Sequence, residues 1–411
     1  GFEIHSMEAG DYTILSRDMD SEILYPRSIE ALKTMLRSNR ALRERLLPFP
    51  HHIGYQSGRR GINWDQFSGD LFPLVEIFSM HGCSEEDEND KPFLHTMGPL
   101  SARGTMRYGL GAAGARFGVL GNTDHHSAHP GSYGHGCSGI WAEGLDRASI
   151  WDALKNRRTF ALSGDKMRLA FSVNDSPMGS VAERRTTQHL EFDLTAGGTL
   201  DYVDIIKNGR LLSRHSQTDI APTPPDASDT IRTILYLELG WGERHKRCEW
   251  EARLGISSGS IEEVDARFRG GEVVSPLDAE EGTSRYFQSA WNRIDDTTVA
   301  FHTETRSNPT NSTPGTQGVA LRVAARRDAS VYLQVNGKEY RIALQDLLEG
   351  SFVDYIGGFD SPAFKLHQAP VEGEFDWRAG FDDKGAEPAY YYLRARQKNG
   401  AWAWSSPIWV E

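Results

Sequence analysis

Arg116-Phe117-Gly118-Val119-Leu120-Gly121-Asn122-Thr123-Asp124-His125-His126 is the stretch on which the reading of this chain turns. Its first half is an apolar run of strand length closed by glycine. Its second half is a turn carrying one carboxylate and two imidazoles. Alternate positions of an extended segment share a face, so Asp124 and His126 can point the same way. Both are good ligands for zinc, manganese or iron. The competing reading is an Asp that caps a turn beside a polar surface histidine. Sites in α/β folds form outside the carboxyl ends of strands, and this turn stands at such an end.

Working outward, other histidines and carboxylates also sit where an apolar run has just ended or begun. Pro50-His51-His52 places a doublet after a proline-broken strand, so one of His51 and His52 is expected as a ligand. Leu74 to Phe78 reads as a second apolar strand and runs into Ser79-Met80-His81. His81 could bind a metal or orient a substrate oxygen. Glu76, inside that strand, is expected to accept from a ligating imidazole or to pair with an arginine. Glu3 lies in the apolar run Gly1-Phe2-Glu3-Ile4, where an unpaired carboxylate is costly. Bridging two metal ions would account for it, and His5 shares its face. His125, His129, Tyr133 and His135 crowd the loop after Asp124, and one of them could act as a general acid. Arg59, Arg60 and Lys91 could meet a substrate anion.

The chain has 411 residues, is 38% hydrophobic and has a formal net charge of -12. That charge argues against broad nucleic-acid binding, which needs a basic surface. An anionic substrate stays open, because bound metal ions invert the local field. Cys83, Cys137 and Cys248 give neither a disulfide framework nor a Cys-x-x-Cys metal site. No apolar run approaches the length of a membrane span. The compartment stays open between cytoplasm and periplasm. Gly-x-Ser-x-Gly and a strand-following Gly-x-Gly-x-x-Gly are both missing, which counts against serine-hydrolase and dinucleotide chemistry.

Residues 1–165 read as α/β. A long helix is expected from Ile29 to Leu46, capped by Ser28 and ended by Pro48. Shorter helices are expected over 101–114 and 149–156, with a strand at Thr159 to Leu162. The acidic run Glu85 to Asp90 reads as a solvated face. Residues 166–411 change texture to short apolar or alternating stretches, with turns at Asn336-Gly337 and Asn399-Gly400, and read as a β-rich, sandwich-like accessory domain. The stretches 222–226 and 307–315 read as exposed loops. Trp241, Trp250, Trp291, Trp377, Trp402, Trp404 and Trp409 could stack on a ligand, although such residues more often anchor a sheet.

Assembled, these pieces resemble the PHP superfamily, the polymerase-and-histidinol-phosphatase metallohydrolases, and more narrowly its DUF3604 branch. The resemblance rests on Gly1 to Ile4, Pro50-His51-His52, Val75 to Gly82, Gly121 to His126, Leu154 to Gly164 and Tyr390 to Val410. It implies a distorted (β/α)7 barrel, partial in this chain and occupying residues 1–165, followed by the β-rich region at 166–411. It implies two or three divalent transition-metal ions (Mn, Zn or Fe) held by Glu3, His51 or His52, His81, Asp124 and His126, with His81 or His125 serving proton transfer. It implies hydrolysis of a small anionic ester, by default a phosphoester. A sulfate ester, amide or lactone hydrolase is the first alternative, and a non-catalytic metal- or carbohydrate-binding protein the second. The family opens with a His-x-His strand that does not precede Gly1. Its ligands are therefore expected from a separate chain, unless they were removed or the site is incomplete.

Overall fold

The computed structural model describes residues 1–91, 98–126, 129–220, 229–243, 246–270, 287–306 and 315–411. The expected loops at 222–226 and 307–314 lie outside the described residues. The first sheet is antiparallel, with β1 (Phe2–Ile4), β2 (Tyr12–Ser16) and β3 (Leu46–Pro50) in that spatial order. Between β2 and β3 run α1 (Ile29–Ser38) and α2 (Arg40–Arg45). Ser28 caps α1 as expected, its hydroxyl accepting from the Ala31 amide at 3.1 Å. The single long helix is instead two. Asn39 adopts an extended conformation, and its side chain caps the second helix by accepting from Leu42 N–H. An Asn that offers its own backbone-like acceptor favours such a cap over helix interior.

A second sheet has the spatial order β5 (Gly82–Cys83), β4 (Leu74–Ser79), β6 (Gly118–Gly121). β4 and β6 pair in parallel. The connection between them holds α3 (Met106–Leu110), much shorter than the helix expected over 101–114. Leu47 and Phe49 of β3, Leu74 of β4 and Leu120 of β6 share a small core with Trp151 and Leu154 of a further helix, which spans Arg147–Lys155. The loops after β3, β4 and β6 are thereby brought together.

The expected (β/α)7 barrel, complete or partial, is corrected by this topology. Every sheet is open, and the six helices among the described residues are short, the longest having 10 residues. A barrel of that kind needs successive parallel strands, each followed by a crossover helix. Here β1, β2 and β3 are antiparallel. Pro48 and Pro50 lie in β3 opposite Ile14 and Tyr12. They remove two ladder donors, which confines β3 to a sheet edge and leaves no route to closure.

Residues beyond 166 form mostly antiparallel open sheets. One large sheet contains the strands Ala389–Gln397, Trp402–Ser405 and Ile408–Val410, and it extends back onto Thr159–Leu162 and Cys137–Ile140. Two five-stranded sheets, centred on Thr230–Gly240 and Arg247–Ile256, share a separate core that includes Leu235, Trp250, Leu321 and Phe364. The acidic run after β5 is exposed at Asp87, Glu88 and Asp90, as expected, but not at its first residue. Glu85 is buried and accepts from Tyr392 Oη at 2.8 Å, Trp404 Nε1 at 2.7 Å and Arg394 Nη1 at 3.0 Å. A buried carboxylate so fully bonded is a tether, tying the segment that follows His81 to the C-terminal sheet. Trp250, Trp377, Trp402, Trp404 and Trp409 are buried core residues, whereas Trp241 and Trp291 stay largely exposed.

Candidate metal centre

Four chain segments meet at the open end of β3, β4 and β6. β1 brings Glu3, the loop after β3 brings His51 and His52, the turn after β4 brings His81, and the turn after β6 brings Asp124 to His126. His51 bridges two carboxylates, with Nε2 at 2.8 Å from Glu3 Oε1 and Nδ1 at 3.5 Å from Asp124 Oδ2. Asp124 Oδ2 also lies 2.9 Å from His81 Nε2. The other His81 nitrogen, Nδ1, is 2.7 Å from Tyr55 Oη. His126 stands further out, Nε2 being 3.8 Å from Asp124 Oδ1.

The sequence reading missed Asp11. It is fully buried just before β2, and its Oδ2 is 3.4 Å from His52 Nε2 and 2.6 Å from Arg60 Nε. The signal was available, since Gly10-Asp11-Tyr12-Thr13-Ile14 is another apolar strand entered through a carboxylate, the argument used for Glu3. Two groups of potential ligands result. One is Glu3, Asp11, His51 and His52, and the other is His52, His81 and Asp124; in each, one donor atom per residue lies within 4.8 Å of all the others. His52 belongs to both. The sequence reading asked for one of the His51-His52 pair, and the structure turns both rings toward the same centre, 4.0 Å apart.

The donor set suits a divalent ion. Among the buried side-chain atoms, His52 Nδ1 has no hydrogen-bond partner. Leaving such an atom unbonded costs about 1–3 kcal/mol unless something else engages it. Two backbones are also held off their preferred conformation, His52 at φ 33° and Asp124 at φ 46°. Left-handed non-glycine residues cost about 1–2 kcal/mol and persist where surrounding structure over-determines them. Glu76 is part of that structure. Its Oε1 accepts from the His52 backbone N–H at 3.2 Å and its Oε2 from Asn122 Nδ2 at 2.8 Å. It thus braces the His52 backbone and the β6 turn, rather than an imidazole or an arginine.

The electrostatics follow from burial. Desolvation works against a charge on His51, but Asp124 and Glu3 on either side outweigh it and push its pKa up to about 10. Burial, with His51 and His81 alongside, pushes His52 down to about 2. Burial raises the Asp124 carboxyl, yet bonds from His51 and His81 hold it well below the usual carboxylate range. Without an ion, then, a proton on His51 holds the carboxylates together. A metal ligand must be deprotonated, so binding displaces that proton. Calorimetry in buffers of different ionisation enthalpy is expected to show about one proton released at pH 7 as an ion enters the Glu3-Asp11-His51-His52 group. Affinity should rise as pH climbs towards 10, and a pH-independent affinity would exclude His51 from the ligand set.

The remaining candidates fall outside the two groups. His5 is largely exposed, with Nδ1 at 3.2 Å from Glu3 Oε1. His125 turns towards His135 and His129, its ring centroid 5.2 and 6.1 Å from theirs. Burial pushes His125 and His135 each down to about 4. Arg59 is exposed, while Arg60 is committed to Asp11.

Comparison with known proteins gives partial matches. The profile of the family described as "Protein of unknown function (DUF3604)" matches residues 122–201, which begin at the Asp124 turn. A Chlamydia muridarum protein named only as uncharacterized is 24% identical over 173 residues, covering 38% of this chain and 28% of its own length. A Chlamydia pneumoniae protein, likewise uncharacterized, is 27% identical over 172 residues with the same coverage. One from Chlamydia trachomatis is 25% identical over 186 residues, 43% of this chain and 27% of its own. The chain thus spans under a third of the length of these curated relatives. No solved structure matches. No helix among the described residues is long and apolar enough to cross a membrane.

Proposed function

We propose that this chain carries the metal site of a divalent-metal-dependent hydrolase, with phosphoesters as its first substrate class. The supporting observation is the pair of ligand groups sharing His52, with Asp124 Oδ2 buried between His51 and His81. Glu3, Asp11 and His51 would hold one ion and His81 and Asp124 another, with His52 placed to serve either. Manganese, zinc and iron(II) all suit such mixed carboxylate and imidazole donors. When bound, the ions would supply a water of lowered pKa and stabilise charge on the non-bridging oxygens of an ester.

The chain's own groups set the stage for that chemistry. Tyr55 Oη engages Nδ1 of His81 and so directs Nε2 inward, the arrangement that fixes a ligating tautomer. Both ring nitrogens of His81 are therefore committed, which favours the ligand role over proton delivery. His125, neutral at pH 7, would meet a substrate as an acceptor or base instead of an acid. Tyr55→Phe is expected to lower metal affinity about 10- to 100-fold with the fold intact. Isothermal titration would read the change, and unaltered affinity would remove His81 from the site.

The deciding assay uses the chain stripped of metal and reloaded with Mn, Zn or Fe(II). Aryl phosphate monoesters, diesters, aryl sulfates and a lactone form the panel. Turnover of a phosphoester that chelation and Asp124→Asn both abolish is the expected result. Turnover confined to sulfate or lactone would keep the metal chemistry and replace the substrate class. Metal-loaded protein inert to the whole panel would overturn the hydrolase reading.

A further inference from the structure

The exposed tryptophan Trp241 has neither a core role nor a comfortable backbone. It follows the strand Thr230–Gly240 at φ 57°, between Gly240 at 159° and Gly242 at 93°, and is 49% exposed. A bulky residue in the left-handed region is an outlier that costs stability, and burial does not repay it here. A second loop, Gly357 to Pro362, holds Phe359, which is 90% exposed. The two loops pack together: a Cβ on Gly242 would sit 3.0 Å from Pro362 Cγ and 3.2 Å from its nitrogen. Between them lies a cleft of about 530 Å³, lined by Trp241 and Phe359 and by Glu243, Arg247, Asp360 and Ser361 among others. That volume is in the range of small-ligand sites.

The charges in the cleft decide what it suits. Lys246 pairs with Glu243 at 2.6 Å and Arg247 with Glu304 at 2.9 Å. Both cations are thus answered from within the protein, so the cleft has little to offer a phosphate or sulfate. What remains is two aromatic rings presented to solvent beside the exposed carboxylate of Asp360, which can bond to adjacent hydroxyls. An aromatic ring with a polar rim matches a ligand that is apolar on its C–H face and polyhydroxylated at its edge.

We propose that this cleft, on the β-rich part of the chain and separate from the metal centre, binds a neutral carbohydrate chain. Trp241 and Phe359 are the stacking platforms, while Asp360 bonds to sugar hydroxyls.

The test is native electrophoresis of the full chain through gels containing one soluble polysaccharide each: a β-glucan, a xylan, a galactomannan, a dextran, and anionic heparin. Trp241→Ala and Phe359→Ala are surface changes, and Trp291→Ala, another exposed tryptophan, serves as the control. Retardation by at least one neutral polymer is expected, weakened at least about tenfold by Trp241→Ala and by Phe359→Ala but unchanged in the control. No retardation by any neutral polymer overturns the proposal, as does retardation that Trp241→Ala leaves intact. Retardation by heparin alone would identify an anion site instead. A dimer in light scattering that Trp241→Ala splits would assign the cleft to self-association. None of these outcomes depends on the metal centre.

Discussion

His52→Ala is expected to empty both ligand groups at once. No other residue belongs to both Glu3-Asp11-His51-His52 and His52-His81-Asp124. Each group therefore loses a donor. Metal retained after dialysis should fall to background, and ester turnover should fall on the order of 10²- to 10³-fold, the effect of losing several kcal/mol of charge stabilisation. Stability should respond differently from function. Metal-free His52 is neutral and has an unbonded buried Nδ1, so removing it forfeits packing more than electrostatics, about 1–2 kcal/mol. His51→Ala makes the contrast. His51 is the charged bridge of the metal-free site, with its pKa raised above the unfolded value. Its contribution is fully present below the unfolded pKa near 6.5 and is lost as pH rises through about 10. In metal-free protein His51→Ala should thus be the costlier change near pH 6, and the two variants should converge at high pH. Metal analysis with urea unfolding at several pH values checks both statements. Full retention of one ion by His52→Ala would mean that the two groups are independent.

The parts of this site legible in the sequence share one trait: a charged or imidazole side chain where an apolar strand begins or ends. Glu3, His51, His52, His81 and Asp124 were found that way, and all five converge. Asp11 obeys the same rule at the entrance to β2, and what no local pattern displays is the pairing of β2 with β1 that sets it beside Glu3. His126 was paired with Asp124 by strand alternation, which assumes an extended chain. At φ 46° Asp124 breaks the alternation, and His126 ends at the rim, 3.8 Å from the carboxylate it was meant to accompany. The barrel failed for a related reason. Strands and helices alternate along residues 1–165, yet direction of pairing is a tertiary property, and only Pro48 and Pro50 hinted that β3 would be an edge. Glu85 shows the limit of composition: an acidic run looks solvated until the partners of its first residue, hundreds of positions away, are known.

Arg60→Met is expected to cost the metal-free protein about 3 kcal/mol and to raise its dependence on metal. Asp11 is fully buried, and Arg60 reaches it through both Nε, at 2.6 Å, and Nη2. The turn that delivers Arg60 is built for the purpose. Arg60 sits at φ 69°, its amide bonds to Met7 O at 3.2 Å, and a Cβ on Gly61 would fall 1.7 Å from the Tyr55 carbonyl oxygen. Methionine keeps the length and loses the charge, leaving a buried carboxylate without its guanidinium; the Ser6 amide, at 3.1 Å from Oδ1, is a weak substitute. The deficit should shrink when a divalent ion enters the Glu3-Asp11-His51-His52 group and supplies that charge. If the loaded states are similarly stable, the variant's affinity for the ion must exceed the parent's by the same free energy, about 100-fold. Urea unfolding with and without zinc would show a larger metal-induced shift in Arg60→Met than in the parent chain. Equal shifts would mean that Asp11 is held by arginine for structure alone and is no part of the metal centre.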